Sequence, residues 1–340
     1  MKKDILIGLL VTIGLFIIVE AGLRVFWMVK WPQEPLLSDP NRGWVFTKGN
    51  HGHFEINSMG YRDKEIEKNK PKNTYRIICL GDSTTLGFGT ETANGDYPAQ
   101  LRNLVYKNYN TPGKKIKYEL INAGISANNS EHILYRLKNE IVQMNPDLII
   151  FWFTWNDVSE YNPGFPVKDK NNIVQKLRNR SYLVRAMLGF VFKVVIPNTE
   201  KVSFSFEKKY RIYKDFYPVQ YEKNLREIIS ICKQNKIDMI FMPIAFAGYF
   251  PENIQRGIIK YPYFTRNLEL YKLLVEIYNS VLEKNIKENN IKFIDVRETV
   301  YDKKNNFGRY YVSHCHLNDA GYKIIAETVY KKLVRFGILK

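Results

Sequence analysis

The stretch Tyr75 to Gly89, YRIICLGDSTTLGFG, constrains the fold more than any other part of the chain. Four apolar residues, Ile77-Ile78-Cys79-Leu80, stop at Gly81 and give way to Asp82-Ser83-Thr84. A β-rich apolar run ended by glycine and followed by small polar residues reads as a buried strand running into a tight turn. The carboxyl end of such a strand is where a parallel α/β sheet presents its chemistry, so the Ser83 hydroxyl is expected to face a crevice. Alone, Gly-Asp-Ser is too short to decide the matter. Ser83 reads equally well as a turn residue capping the next helix, with Asp82 as solvated turn filler.

The rest of the chain repeats the same rhythm. Residues 98–108 read as a helix, 117–122 as a strand with 123–126 as its turn, and 131–144 as a helix stopped by Asn145-Pro146. The near-continuous apolar run Asp147–Phe153 predicts a central parallel strand. The rhythm breaks over 158–216, read as an insertion that roofs the sheet crevice. It resumes with a helix at 220–234, a strand at 238–243, a long loop at 244–265, a helix at 267–289 and a strand at 291–295. A loop at 297–313 and a closing helix at 318–336, with Asn318 as N-cap, complete it. Strands alternating with helices predict a doubly wound α/β sheet.

The amino terminus is of another kind. Met1-Lys2-Lys3 precedes fifteen apolar or small residues, Ile5–Val19, and after Glu20 the apolar character resumes with Arg24 as a charge. Carried to Leu23, the segment reaches the length a bilayer requires. No small-x-small cleavage site follows, so an uncleaved anchor over 1–30 is expected, with the remainder outside the cytoplasm. Residues 31–72 read as a linker or wrapping segment. His51 and His53 within it have no ligand cluster nearby and read as edge-strand histidines. Ser181–Ile196 is apolar apart from Arg185 and Lys193, and reads as a helix packed on the domain or lying at a membrane surface rather than a second span.

With 51 Lys and Arg against 34 Asp and Glu, the net charge is +17, which suits an anionic neighbour such as lipid headgroups or an acidic glycan. No zinc-finger, RNP or basic-heptad pattern is present, so a nucleic-acid partner is not expected. Cys79, Cys232 and Cys315 are too few and too dispersed for a disulfide framework or a metal site, and no cofactor or metal is called for.

Four strand ends carry chemistry: Ser83, then Asn122-Ala123-Gly124, then Asn156-Asp157, and finally His314-Cys315-His316 before the closing helix. A serine nucleophile needs a base, usually neutral histidine, and donors where the oxyanion develops. Each residue also has an ordinary structural reading: Gly124 as a tight-turn glycine, Asn156 as an Asx-turn residue, His316 as a helix-start residue. Together, in this order, they form a complete set for acyl transfer.

The set resembles the SGNH (GDSL-like) hydrolase superfamily, through LGDSTTLGFG at Ser83, INAGIS at Gly124, the WND of FTWND at Asn156 and HLNDAG at His316. The resemblance runs from Tyr75 to the C-terminus. It implies a flavodoxin-like three-layer α/β/α sandwich with a mostly parallel sheet over 73–340, and cleavage or transfer of esters. Ser83 would be the nucleophile, His316 the general base, and the Ser83 N–H, Gly124 N–H and Asn156 side chain the oxyanion hole. The anchor, with Asn57 and Gly60-Tyr61-Arg62 before the first strand, looks like membrane-tethered bacterial members acting on envelope glycans. Two positions depart from the family. Thr154 replaces a glycine, which narrows the pocket. Ser313 replaces the aspartate three before the histidine, and a hydroxyl orients an imidazole without neutralising its cation. The expected activity is deacylation of an envelope glycan carrying O-acyl groups, O-acetyl among them. The alternatives are O-acyl transfer to a surface polysaccharide or teichoic-type polymer, with a membrane-bound protein donating the acyl group, and a non-catalytic glycan-binding scaffold.

Overall fold

A computed structural model describes residues 2–30, 37–39, 42–160, 181–190, 213, 215–247, 268–300 and 309–340. In chain order its elements are helix α1 (Lys2–Lys30), two antiparallel hairpins, β1 (Leu37–Asp39) with β2 (Gly43–Val45) and β3 (Gly49–His51) with β4 (Phe54–Ile56), then strand β5 (Thr74–Gly81). Next come α2 (Ser83–Leu86), α3 (Tyr97–Tyr109), β6 (Lys117–Gly124), α4 (Ser130–Arg136), β7 (Leu148–Trp152), α5 (Trp155–Glu160) and α6 (Tyr182–Phe190). The last are α7 (Val219–Gln234), β8 (Asp238–Phe241), α8 (Leu268–Glu288), β9 (Lys292–Phe293), α9 (Arg297–Val300) and α10 (Asp319–Arg335).

Five strands form one sheet in the order β6-β5-β7-β8-β9, every neighbouring pair parallel. Counted from β5, that order is the 2-1-3-4-5 of a flavodoxin-like sheet, whose switch point lies between β5 and β7. The side chains of β5 alternate between two cores. Ile77 and Cys79 pack with Tyr97, Leu101 and Val105 of α3 and with Tyr322, Ile325 and Val329 of α10. Ile78 and Leu80 pack with Ile133, Leu225, Ile228 and Leu274 on α4, α7 and α8. Burial on both faces makes β5 and β7 continuously apolar, since neither face of a central parallel strand meets water.

The sheet strands and their flanking helices follow the expectations, while α9 falls in the stretch expected as a loop at 297–313 and the two hairpins fall in the 31–72 segment expected as a linker or wrapping segment; other differences are local. The helix expected over 131–144 begins at Ser130, passes through a π turn at Leu137–Ile141 and a 3-10 turn at Val142–Met144, and stops at Asn145 in a left-handed conformation. β9 spans two residues where five were expected. His51 and His53 do not share a strand. His51 ends β3 and packs on Phe46 and Phe54, while His53 lies in the turn before β4 with Nε2 3.2 Å from Thr90 Oγ1.

The chain divides into two compact units, Met1–Pro35 with Val167–Lys209, and Leu36–Pro166 with Tyr210–Lys340. In the first, Leu6–Phe26 of α1 is long and apolar enough to cross a membrane, with a mean hydropathy of 2.5 and none of it buried. Glu20 of α1 accepts hydrogen bonds from Ser181 Oγ (2.9 Å), Tyr182 N (3.1 Å) and Leu183 N (2.9 Å), so its carboxylate caps the amino end of α6. Arg24 binds the same carboxylate at 2.9 Å and lies over the Tyr182 ring. Most of the insertion at 158–216, and with it the expected roof over the crevice, lies outside the described residues, as does 191–196.

Candidate active site

Strand β5 delivers Ser83 to the switch point. Gly81 closes the strand with no room for a side chain, since a Cβ there would lie 2.1 Å from both Thr85 Oγ1 and Trp152 O. Asp82 then leaves the sheet as N-cap of α2, accepting from Thr84 N (2.8 Å) and Thr84 Oγ1 (2.7 Å). Burial pushes its carboxyl up to about 6. Ser83 is therefore the first residue of a short buried helix, directly after the strand end; the cap is Asp82, fully buried, and not Ser83 with a solvated Asp82 as the ordinary reading expects. Gly87, left-handed at φ 86°, ends the helix.

The candidate base, His316, arrives from the other end of the chain. Asn318 caps α10 by accepting from Gly321 N at 3.0 Å, as expected, and fixes the loop before it. His316 Nε2 stands 2.8 Å from Ser83 Oγ, and His316 Nδ1 stands 2.7 Å from Ser313 Oγ. Ser313 Oγ also accepts the His316 backbone N–H at 3.2 Å. With Nε2 accepting the Ser83 proton, Nδ1 carries the ring hydrogen and donates it to Ser313, which fixes the tautomer. Burial, with His314 nearby, lowers the His316 pKa to about 3, so the ring is neutral at physiological pH. His314 does not face the nucleophile. Its ring is buried against Trp155 at 4.7 Å, and burial lowers it to about 4. Cys315 is buried, and its thiol is pushed far above the ordinary range, which leaves it no thiolate character.

The third block brings Asn156 to the same end of the sheet, on α5. Asn156 Nδ2 donates to Asn128 O at 3.0 Å and stands 3.4 Å from Asp82 Oδ2. The second contact is the longer and weaker of the two. Asp157 turns away and is structural: it binds Ser130 N at 2.9 Å and Ser130 Oγ, anchoring the start of α4. Thr154 keeps a glycine-like φ of 107° and turns its buried hydroxyl to Tyr221 OH at 2.9 Å. A β-branched residue in that conformation is strained, and the Tyr221 contact offsets part of the cost.

Gly124 requires a correction. Its N–H donates to Asn122 Oδ1 at 3.0 Å, so it is occupied rather than offered to an oxyanion. The missing side chain serves packing, because a Cβ at Gly124 would lie 2.1 Å from Leu86 N on the nucleophile helix. Three residues on, Ala127 is left-handed at φ 59°, and among the described residues its N–H donates to no partner. It precedes Asn128, whose carbonyl holds Asn156.

Sequence reasoning gave Arg62 no role, yet the structure buries it behind the nucleophile loop. Its guanidinium donates to Leu86 O, Gly87 O, Thr90 Oγ1, Thr92 O and Ala93 O, lies 3.3 Å from Asp96, and covers the Phe54 ring. Asn57 organises the preceding turn by accepting from Met59 N and Tyr61 N. A planar five-donor cation matches a cluster of loop carbonyls as an ammonium does not. The segment 57–62 is thus a brace for residues 86–93. Among the described residues no group of three His, Cys, Asp or Glu side chains is placed to hold a metal ion.

Comparison with solved structures returns enzymes of similar layout. A GDSL-like lipase from Bacteroides thetaiotaomicron is 15% identical, with 77% of this chain and 88% of that chain covered and a TM-score of 0.45. A variant of an acetyl xylan esterase from Geobacillus stearothermophilus is 15% identical, covering 78% and 97% with a TM-score of 0.45, and a further acetyl xylan esterase is 19% identical, covering 76% and 99% with a TM-score of 0.46. Scores at this level carry nothing about substrate. No curated protein sequence matches the chain. The profile described as the GDSL-like Lipase/Acylhydrolase family matches residues 79–324, more than half of the chain and all four blocks. The chain belongs to that family, within the SGNH superfamily, and is an ester-bond hydrolase.

Proposed function

We propose that this protein is a membrane-anchored serine esterase, working outside the cytoplasm, that removes O-acyl groups, O-acetyl among them, from a cell-envelope glycan. The observation that carries the reading is the 2.8 Å contact between Ser83 Oγ and His316 Nε2, with Nδ1 held by Ser313 at 2.7 Å. As Ser83 Oγ attacks the ester carbonyl, its proton passes to Nε2. The oxyanion is met by the Ser83 N–H, one amide hydrogen of Asn156 and the Ala127 N–H. Collapse breaks the bond to the alcohol oxygen, which takes the proton from Nε2 and leaves an acyl-Ser83. Water then attacks, gives a proton to Nε2 and releases the carboxylic acid with Ser83 restored. Helix α1, as part of an anchor over 1–30, supplies the tether, and the net charge of +17 suits a polyanionic polymer.

The experiment combines covalent labelling with fractionation of the full chain. A serine-directed phosphonate is expected to modify Ser83 in protein recovered from carbonate-washed membranes, and His316→Ala is expected to abolish both labelling and turnover. Turnover of esters with no adduct on Ser83 rejects the mechanism. Recovery of the protein in the soluble fraction rejects the anchor.

A further inference from the structure

We propose that Phe88 is a specificity-determining residue, the platform on which the sugar ring of the alcohol portion of the substrate stacks. The inference rests on the esterase reading above and adds to it the side of the site on which the glycan lies.

Single exposed apolar side chains are ordinary on protein surfaces. Phe88 differs in where it is and how it is held. Its ring is 56% exposed, and its centroid lies 4.7 Å from that of His316, the planes inclined at 49°. The backbone beneath it is pinned on several sides. Phe88 N donates to Ser83 O at 2.9 Å, and Phe88 O accepts from Tyr322 OH at 3.1 Å. Arg62 grips Gly87 O at 3.0 Å, and Gly89, left-handed at φ 95°, lies so close to Val312 that a Cβ there would stand 2.5 Å from Val312 Cγ2. Val312 is itself 49% exposed, so an apolar ledge of Phe88 and Val312 borders the base. An aromatic ring presented to solvent on a fixed backbone is built to receive something flat and apolar on one face.

The chemistry says which part of the substrate that is. His316 Nε2 takes the Ser83 proton and must pass it to the leaving alcohol oxygen, so the alcohol portion departs along the His316 side. The oxyanion donors, at Ser83 N–H and Asn156, belong to α2 and α5. A group packed against His316 therefore meets the alcohol, not the acyl chain. A pyranose ring offers axial C–H bonds to an aromatic face, whereas a small alcohol such as ethanol offers almost nothing.

The test compares three non-aromatic esters on the full chain in detergent: an O-acetyl methyl pyranoside, ethyl acetate and ethyl butyrate. Phe88→Ala is expected to lower the ratio of kcat/KM for the pyranoside acetate over ethyl acetate by about tenfold, mainly through KM, the size of one lost ring contact. Phe88→Trp is expected to restore that ratio, and the butyrate-to-acetate ratio is expected to hold in both variants. An unchanged pyranoside ratio overturns the proposal. So does a fall in the butyrate ratio, which would place the acyl chain on Phe88, or an equal fall on all three esters, which would make Phe88 a support for His316. Absence of any hydrolysis in the unsubstituted protein, with no phosphonate adduct on Ser83, overturns the esterase reading and the platform with it. Adduct formation with an unchanged ratio overturns the platform alone.

Discussion

Replacing Ser313 by aspartate tests the most unusual feature of the site, a base oriented by a hydroxyl. In the structure Ser313 Oγ lies 2.7 Å from His316 Nδ1, and His316 is lowered to about 3 by its surroundings. A carboxylate beside an imidazolium raises its pKa by about 1–3 units, equivalent to about 1.4–4 kcal/mol of stabilisation of the cation. With the proton half transferred at the transition state, about half of that reaches the barrier, which corresponds to an about three- to thirtyfold faster acylation. Aspartate oxygens reach one bond further from Cβ than Oγ does, so the loop before α10 must withdraw by that much, and the variant's thermal midpoint reports whether it does. The assay is single-turnover acylation by an activated acetyl ester, with kcat/KM followed over pH. The acid limb is expected to move from near 3 to about 4–6, and Ser313→Ala is expected to slow acylation by about tenfold through loss of the orienting hydrogen bond. A folded Ser313→Asp variant whose acid limb does not move, together with a Ser313→Ala variant of unchanged rate, refutes the assignment and requires another group behind Nδ1.

Gly124→Ala is expected to destabilise the protein by about 1–3 kcal/mol or more and to abolish phosphonate labelling of Ser83, because the new Cβ would stand 2.1 Å from Leu86 N and displace the nucleophile helix; a thermal melt and a labelled-peptide map check it. The histidine contribution to stability is expected to fall as pH drops below the ordinary histidine range. His314 and His316 hold pKa values of about 4 and 3 when folded against 6.5 unfolded, so between those limits the unfolded chain binds more protons, His314 alone contributing about 3 kcal/mol. Asp82 and Asp96, both raised to about 6, work in the opposite sense, favouring the folded state at low pH and losing that contribution as pH rises through 6. Urea melts from pH 7.5 to 4 are expected to show a shallower acid loss for His314→Phe than for the parent, and an unaltered slope would refute the reasoning.

Much of the fold was legible because burial on both faces writes itself into sequence. The runs at 77–80 and 148–152 are apolar throughout, and glycine, proline and caps such as Asn318 punctuate them. Ser83, Asn156 and His316 stood out because each lies in a block that the family keeps in this order, Ser83 and Asn156 just after strands β5 and β7 and His316 just before α10. What escaped was set by tertiary partners. Nothing local marks Ala127 as the residue that turns left-handed, since that conformation is imposed on the loop between Ile125, bonded to Gly81 O, and Asn128, bonded to Arg42 and Arg136. Arg62 stood out only as part of the Gly60-Tyr61-Arg62 resemblance, with no contact assigned to it, because its carbonyl partners lie 24 or more residues away. Thr154 was read by its bulk, whereas its backbone angle and its distant partner Tyr221 decide where the side chain goes.

The contact between Ser83 and His316 joins residues 233 apart in the chain. Its consequence concerns timing. A chain made from its amino end displays the nucleophile long before the base exists, and the base takes its place only when Asn318 caps α10 and that helix docks beside α3. Closing so long a loop is entropically costly and comes late in folding. Under the mechanism proposed above, Ser83 is a bare hydroxyl until then, and reactivity arrives with α10, which would make the finished fold itself the safeguard against premature chemistry.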